Sequence, residues 1–470
     1  MRVLLVRPDP PPYTIGLKDL MICEPLELEY VAAGIVGHEV EIFDLILEKD
    51  LAGKLRSFKP DIVGTSSYIT GVNRVKAICR AAKASNPGTV TIVGGVQATQ
   101  VPEDFRDPSI DMIVRGEGVR TISRLMEHLE RGTSCEDVPN LAFPDQGGFR
   151  FSPAAALDVD VDRLPLPRRD LVARFQKDYY YLFHRPVSIM KTTFGCPYRC
   201  TFCFCWPLTG GRVFRRSPAS IADELEVIPS KDVYIVDDTF FFDPGHLRAL
   251  HAEITRRGID KRYLVYAQAD FVARNPDIIR DWAAIGLIAC IVGLETPFDH
   301  ELLNYRKQAT AAVNTEAIRV LRSNRVDVYG SFIVDPGWIK GDFAQLEDYV
   351  RKTGLYYIVI QPLTPLPGTE IFDTYRDRLV IPRDHYELWD MQHAVLPTAL
   401  PPRTFYRKIL KIYLRQCANP WRAHVLDLRT APPVLSRRYL RLLAGGIRVL
   451  RALGKAHRHP RLLAGQRTER

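Results

Sequence analysis

Short, mainly apolar runs recur in the first part of the chain at 3–6, 39–43, 61–64, 90–93 and 111–114. A strand covered on both faces is apolar throughout, so these runs read as buried strands. Between them, residues 72–84 and 121–131 carry apolar positions at helical spacing. Strand–helix alternation predicts an α/β domain over residues 1–137, a doubly wound parallel sheet with helices on both faces. Such sheets bind ligands at the carboxyl ends of their strands. Residues 138–181 break this pattern with Gly147-Gly148, Pro153 and Leu164-Pro165-Leu166-Pro167, and read as a linker. Alternation resumes over 182–400, with candidate strands at 187–191, 233–236, 263–267, 289–292, 328–334 and 357–360. Six strands separated by helical stretches predict a partial (β/α)6 barrel, because a full eight-strand barrel takes about 250 residues.

The last region, 401–470, differs in charge. From Arg403 to the end there are 17 Lys and Arg against 2 Asp and Glu, a net +15 in a chain whose total is +9, which leaves −6 for the rest. Read as a helix, residues 437–455 put Arg437, Arg438, Arg441, Arg448, Arg451 and Lys455 on one side. Tyr439, Leu443, Ile447, Leu450 and Leu453 fall on the other. Two placements fit this pattern: a helix in a membrane interface, or a docked helix with a solvated basic face. No apolar stretch reaches the ~20 residues of a spanning helix, and the first residues lack signal-peptide features. The expected location is the cytoplasm, with peripheral contact at the inner membrane face through the tail.

Nine cysteines are present, and four of them crowd into ten positions: Cys196, Cys200, Cys203 and Cys205. Clustering in a long chain favours a metal site over a disulfide scaffold. Cys196, Cys200 and Cys203 follow a predicted strand with spacing Cys-x3-Cys-x2-Cys. Three soft thiolates on one loop can hold three irons of a [4Fe–4S] cubane and leave the fourth open to a chelating substrate. A structural zinc site instead closes with a fourth ligand. Cys205 is separated from Cys203 by one residue and is not counted as a ligand.

The loop Cys196-Pro197-Tyr198-Arg199-Cys200-Thr201-Phe202-Cys203 resembles the signature of the radical S-adenosylmethionine superfamily, with Phe202 as the aromatic residue before the last cysteine. Segments at 234–240, 266–270, 293–296, 332–337 and 365–369 resemble later parts of that family in the expected order. The resemblance implies that the open iron binds S-adenosylmethionine (SAM), with Asp238 near the methionyl amino group and Gln268 and Glu295 near the ribose. It also implies a reductant protein of flavodoxin or ferredoxin type.

In the N-terminal region, Ser66-Ser67, Gly94-Gly95 and Gly116-Glu117-Gly118 close successive predicted strands. Glycines there allow close approach of a ligand to the backbone. The Gly-x-Gly-x-x-Gly of a dinucleotide domain is missing after the first strand, where Pro8-Asp9-Pro10-Pro11-Pro12 stands instead. The pattern resembles the cobalamin-binding domain of the class B radical SAM methyltransferases. The Asp-x-His-x-x-Gly cobalt-ligand motif does not occur, and the first histidine is His38.

The class implies methylation of an unactivated carbon by way of methylcobalamin, after a radical formed from a second SAM removes hydrogen. Length, opening loop and basic tail are most similar to the hopanoid C-3 methylases, implying a lipid-like substrate and no nucleic acid. Three alternatives stay open. A radical oxidase or cyclase of tetrapyrrole synthesis would not move the methyl label. A tRNA methylthiotransferase would use further clustered cysteines, but the N-terminal region has only Cys23, Cys79 and Cys135. A corrinoid or redox sensor would not cleave SAM.

Overall fold

The computed structural model describes residues 1–16, 19–145, 147–155, 160–417 and 437–468. Two compact units are present: 1–14 with 24–175, and 15–23 with 176–470.

In the first unit seven strands form one sheet: β1 Arg2–Arg7, β2 Glu39–Asp44, β3 Ile62–Ser66, β4 Val90–Gly94, β5 Met112–Val114, β6 Leu141–Asp145 and β7 Gly148–Phe151. Their order is β2-β1-β3-β4-β5-β6-β7, parallel through β5 and antiparallel thereafter. The strands are apolar because both faces are covered: Leu4, Val6 and Val63 pack on one face with Phe58, Ile78 and Ala82, and Val3 and Leu5 on the other are buried. The order 2-1-3-4-5 is the doubly wound arrangement in which ligands sit where the strand order reverses. The stretch expected as a linker contributes here. The β6–β7 hairpin extends the sheet, and residues 160–175 also belong to this unit. Gly147, which with Gly148 reads as a break in the sequence pattern, lies in the hairpin turn, and Gly148 opens β7. Residues 146 and 156–159 of that stretch lie outside the described residues.

The main sheet of the second unit has six strands in sequential order and all parallel: β8 Val187–Met190, β9 Asp232–Ile235, β10 Arg262–Ala267, β11 Leu287–Glu295, β12 Asp327–Val334 and β13 Tyr357–Pro362. This is the partial barrel the alternation predicts. Outward residues such as Val233, Val265, Val292, Val328 and Ile360 join the helices in one large core. The inner face carries tyrosines: Tyr234 donates to Tyr266 through their hydroxyls at 2.7 Å.

The C-terminal region supplies three helices, α1 Pro402–Cys417, α2 Arg437–Lys455 and α3 His459–Thr468. Phe405, Ile409 and Ile412 of α1, Leu453 of α2 and Ala456 just beyond α2 are buried in the barrel core. Of the two placements open to the 437–455 helix, the docked one holds for that face, while Leu443 and Ile447 stay exposed. The side chains of residues 437–441, Tyr439 and three of the arginines among them, lie outside the described set, as do residues 418–436 and 469–470. No helix among the described residues is long and apolar enough to cross a membrane.

Candidate active site

The cysteine loop grows from the end of β8. Thr193-Phe194 pairs antiparallel with Phe214-Arg215, so a two-residue ladder closes the base of the loop. Adjacent acids at the end of β9 tie that base to the barrel. Asp237 accepts from the amides of Thr192 (2.7 Å) and Thr193 (3.0 Å) and from the Thr192 hydroxyl. Asp238 accepts from the Gly195 amide at 3.0 Å and pairs with Lys191 at 3.5 Å. The loop is pinned at its far side as well. Thr201 N donates to Tyr305 O, and Ile371 N donates to Thr201 O, both at 3.2 Å. Trp206 Nε1 donates to Cys200 O at 3.0 Å.

Burial pushes the Asp237 carboxyl up to about 6, against the lowering effect of its three donors. A carboxyl raised above its unfolded value stabilises the fold fully below pH about 4, and that contribution is lost as pH rises through about 6. Asp237→Asn is therefore expected to flatten this fall in stability between pH 4 and 6. It presents one acceptor to three donors, at a cost of about 1–3 kcal/mol at neutral pH. Chemical denaturation across that pH range checks both; an unchanged pH profile contradicts the assignment.

Cys196 and Cys200 are buried and cluster with Tyr198, Phe202, Cys203, Trp206 and Phe242. Burial pushes the Cys196 thiol up to about 12 and Cys200 to about 11. Apolar walls and three free thiols suit an iron–sulfur cluster, since bound iron ionises its thiol ligands. Among the described residues no three His, Cys, Asp or Glu side chains converge on one ion. Cys205 lies closer than its spacing suggests: its amide reaches Cys203 Sγ at 3.4 Å. An amide on a ligand sulfur tunes a cluster without ligating it. Cys205→Ala should thus keep full iron content; loss of iron would make Cys205 a ligand.

Gln268 directly follows β10, and Glu295 ends β11 after an irregularity between Gly293 and Glu295. Glu295 is held at φ 59°. The structure joins the two through a residue that the sequence pattern does not single out. Lys307 Nζ lies 3.1 Å from Glu295 and donates to Gln268 Oε1 at 2.9 Å. Burial opposes the charge on Lys307, yet Glu295 and the nearby thiols hold its pKa above the ordinary lysine value. Tyr198, inside the cysteine motif, donates to the Asp270 carboxylate at 3.2 Å.

The residues expected at the ligand edge of the first unit also gather. Ser66 is in register with Gly94, Ser67 N donates to Gly94 O at 3.3 Å, and Gly116 N donates to the Thr99 hydroxyl at 2.9 Å. Gly95 and Gly116 both have positive φ. Glu117 serves the fold, capping the helix Gly118–Arg131 by accepting from Val119 N and Arg120 N.

The B12 binding domain family matches residues 14–126, and the Radical SAM superfamily matches residues 190–350. Hopanoid C-3 methylase from Methylococcus capsulatus is 32% identical over 87% of this chain and 79% of its own length. The chain belongs to the cobalamin-dependent radical SAM methyltransferases. Its cofactors are a [4Fe–4S] cluster, SAM and cobalamin. An anaerobic magnesium-protoporphyrin IX monomethyl ester cyclase from Synechocystis is 26% identical to the methyltransferase over 88% of this chain and 86% of its own. Two solved structures share its fold. The radical SAM methyltransferase TsrM from Kitasatospora setae, with cobalamin and a [4Fe–4S] cluster bound, superimposes with TM-score 0.65 at 19% identity, over 79% of this chain and 76% of its own. The cobalamin-dependent radical enzyme OxsB gives 0.71 at 16% identity, over 97% and 71%.

Proposed function

We propose that the methyltransferase adds a methyl group to an unactivated carbon of a polycyclic, hopanoid-type lipid, with C-3 as the site. The observation that carries this reading is its 32% identity to a hopanoid C-3 methylase over most of both chains. When bound, the cluster with SAM supplies a hydrogen-abstracting radical, and cobalamin supplies the methyl group. The protein's own residues then have separate roles. Cys196, Cys200 and Cys203 hold three irons, and Phe202, edge-on to Tyr305 at 5.4 Å, packs the loop. Gln268 and Glu295 receive the ribose hydroxyls. Asp238 lies beside the methionyl amino group while accepting from Gly195. Ser66, Ser67, Gly94, Gly95, Gly116 and Gly118 line the strand ends that take the corrinoid. The functional domains are 1–137 for cobalamin, 182–400 for the radical core and 401–470 for the basic extension. A flavodoxin- or ferredoxin-type protein supplies electrons.

A lipid substrate calls for access to a bilayer. Exposed Leu414 on α1 and Leu443 and Ile447 on α2 accompany exposed Arg407, Arg451 and Lys455. Apolar residues beside cations suit an anionic bilayer. Flotation with vesicles containing anionic lipid should recover the protein, and neutral vesicles should not.

Similarity to the cyclases favours a second reading, a radical oxidative cyclisation. Anaerobic incubation with SAM labelled in its methyl group separates the two. Methylation moves the label into the lipid and forms 5′-deoxyadenosine. A labelled lipid that never appears, with 5′-deoxyadenosine still forming, rejects the methylase reading.

A further inference from the structure

Lys307 stands in the polar run Arg306-Lys307-Gln308, which in sequence looks like surface. In the fold its side chain is only 4% exposed, and Glu295, its partner, only 8%. Two strand ends meet at its ammonium, Glu295 at the end of β11 and Gln268 just after β10. Gly293 makes room for the pair: a Cβ there would lie 3.2 Å from Lys307 Nζ and collide with Glu295 Oε1. The segment bearing Lys307 also touches the cysteine loop, since Tyr305 O accepts from Thr201 N and the Tyr305 ring meets Phe202.

A buried carboxylate needs a counterion. Here that need is sharpened, because an iron–sulfur cluster on three thiolates brings further negative charge to the same neighbourhood. We propose that Lys307 is a positioning residue that holds Glu295 and Gln268 in one geometry for the adenosine end of SAM and sets the reduction potential of the cluster through its charge. The inference rests on the assignment of Gln268 and Glu295 as SAM contacts. Net charge and hydrogen bonding around the sulfurs govern such potentials. Adding an electron to the cluster is easier beside a cation, so removing the cation moves the potential negative.

The experiment is an EPR-monitored redox titration of the reconstituted protein, together with SAM affinity measured on the oxidised cluster, where no cleavage occurs. Lys307→Gln is expected to shift the reduction equilibrium at least tenfold towards the oxidised cluster, about 59 mV more negative for a one-electron couple. It should also weaken SAM binding at least tenfold. Lys307→Arg should restore both to within threefold. Glu295→Gln, which leaves the cation unopposed, should move the potential the other way. Lys307→Gln with a full cluster and unchanged potential and affinity overturns the proposal. So does a negative shift in Glu295→Gln, which decides the matter if Lys307→Gln fails to hold its cluster. A wild-type cluster that does not bind SAM would sink the underlying assignment instead, and the two failures are distinguishable.

Discussion

Cys200→Ala should fold, hold no intact [4Fe–4S] cluster and cleave SAM at least a thousandfold more slowly than the wild type. Cluster thiolates act as a set, so losing one ligand removes the function of all three. The loop itself should survive, because its contacts at this residue are made by the backbone: Cys200 O accepts from Trp206 Nε1 and from Cys203 N. Alanine keeps that carbonyl. Iron and sulfide content and 5′-deoxyadenosine formation measure the effect, and thermal unfolding confirms the fold. Normal iron with normal turnover would show that the ligand set is wrong.

Gly94 and Gly95, adjacent in sequence, should respond oppositely to substitution. Gly95 sits at φ 98° and ψ −178°, a region open essentially to glycine alone. A Cβ there would also come within 2.9 Å of the Ser67 amide nitrogen. Gly95→Ala should therefore destabilise the first unit by about 2–4 kcal/mol, strain and backbone collision acting together. A Cβ at Gly94 meets Val114 at an ordinary 3.9 Å. Gly94→Leu should fold normally yet lose at least tenfold in cobalamin affinity, with SAM cleavage retained, because the added side chain fills the strand-end space assigned to the corrinoid. Cobalamin content read by absorbance, beside a melting curve, separates the two effects. Unchanged occupancy in Gly94→Leu would place the corrinoid elsewhere.

Elements with clear apolar runs are legible in sequence. All six barrel strands fall within a few residues of their expected places, because helices cover their outer faces and keep them apolar. The discrepancy at β11, which runs to Glu295 rather than to residue 292, has a local cause. The register shifts between Gly293 and Glu295, and a carboxylate inside a strand breaks the apolar pattern. The β6–β7 hairpin is hidden for a similar reason: Pro144, Gly147 and Gly148 are the residues of a break and equally of a tight turn. The cysteine loop is legible because its chemistry lies in consecutive residues. Lys307 is not, because its partners come from two other strand ends and only the barrel brings them together. Asp237 and Asp238 are adjacent and visible. Their grip on Thr192, Thr193 and Gly195 depends on the direction of each side chain, and alternation alone does not supply that.

The open iron is tested most directly by pulsed EPR on the reduced cluster of the anaerobically reconstituted protein, with SAM carrying nitrogen-15 in its amino group. The expected result is a spectrum that changes on addition of SAM and a hyperfine coupling from the labelled nitrogen to the cluster. A mononuclear zinc in the loop, or a cubane whose signal is indifferent to SAM, would contradict it.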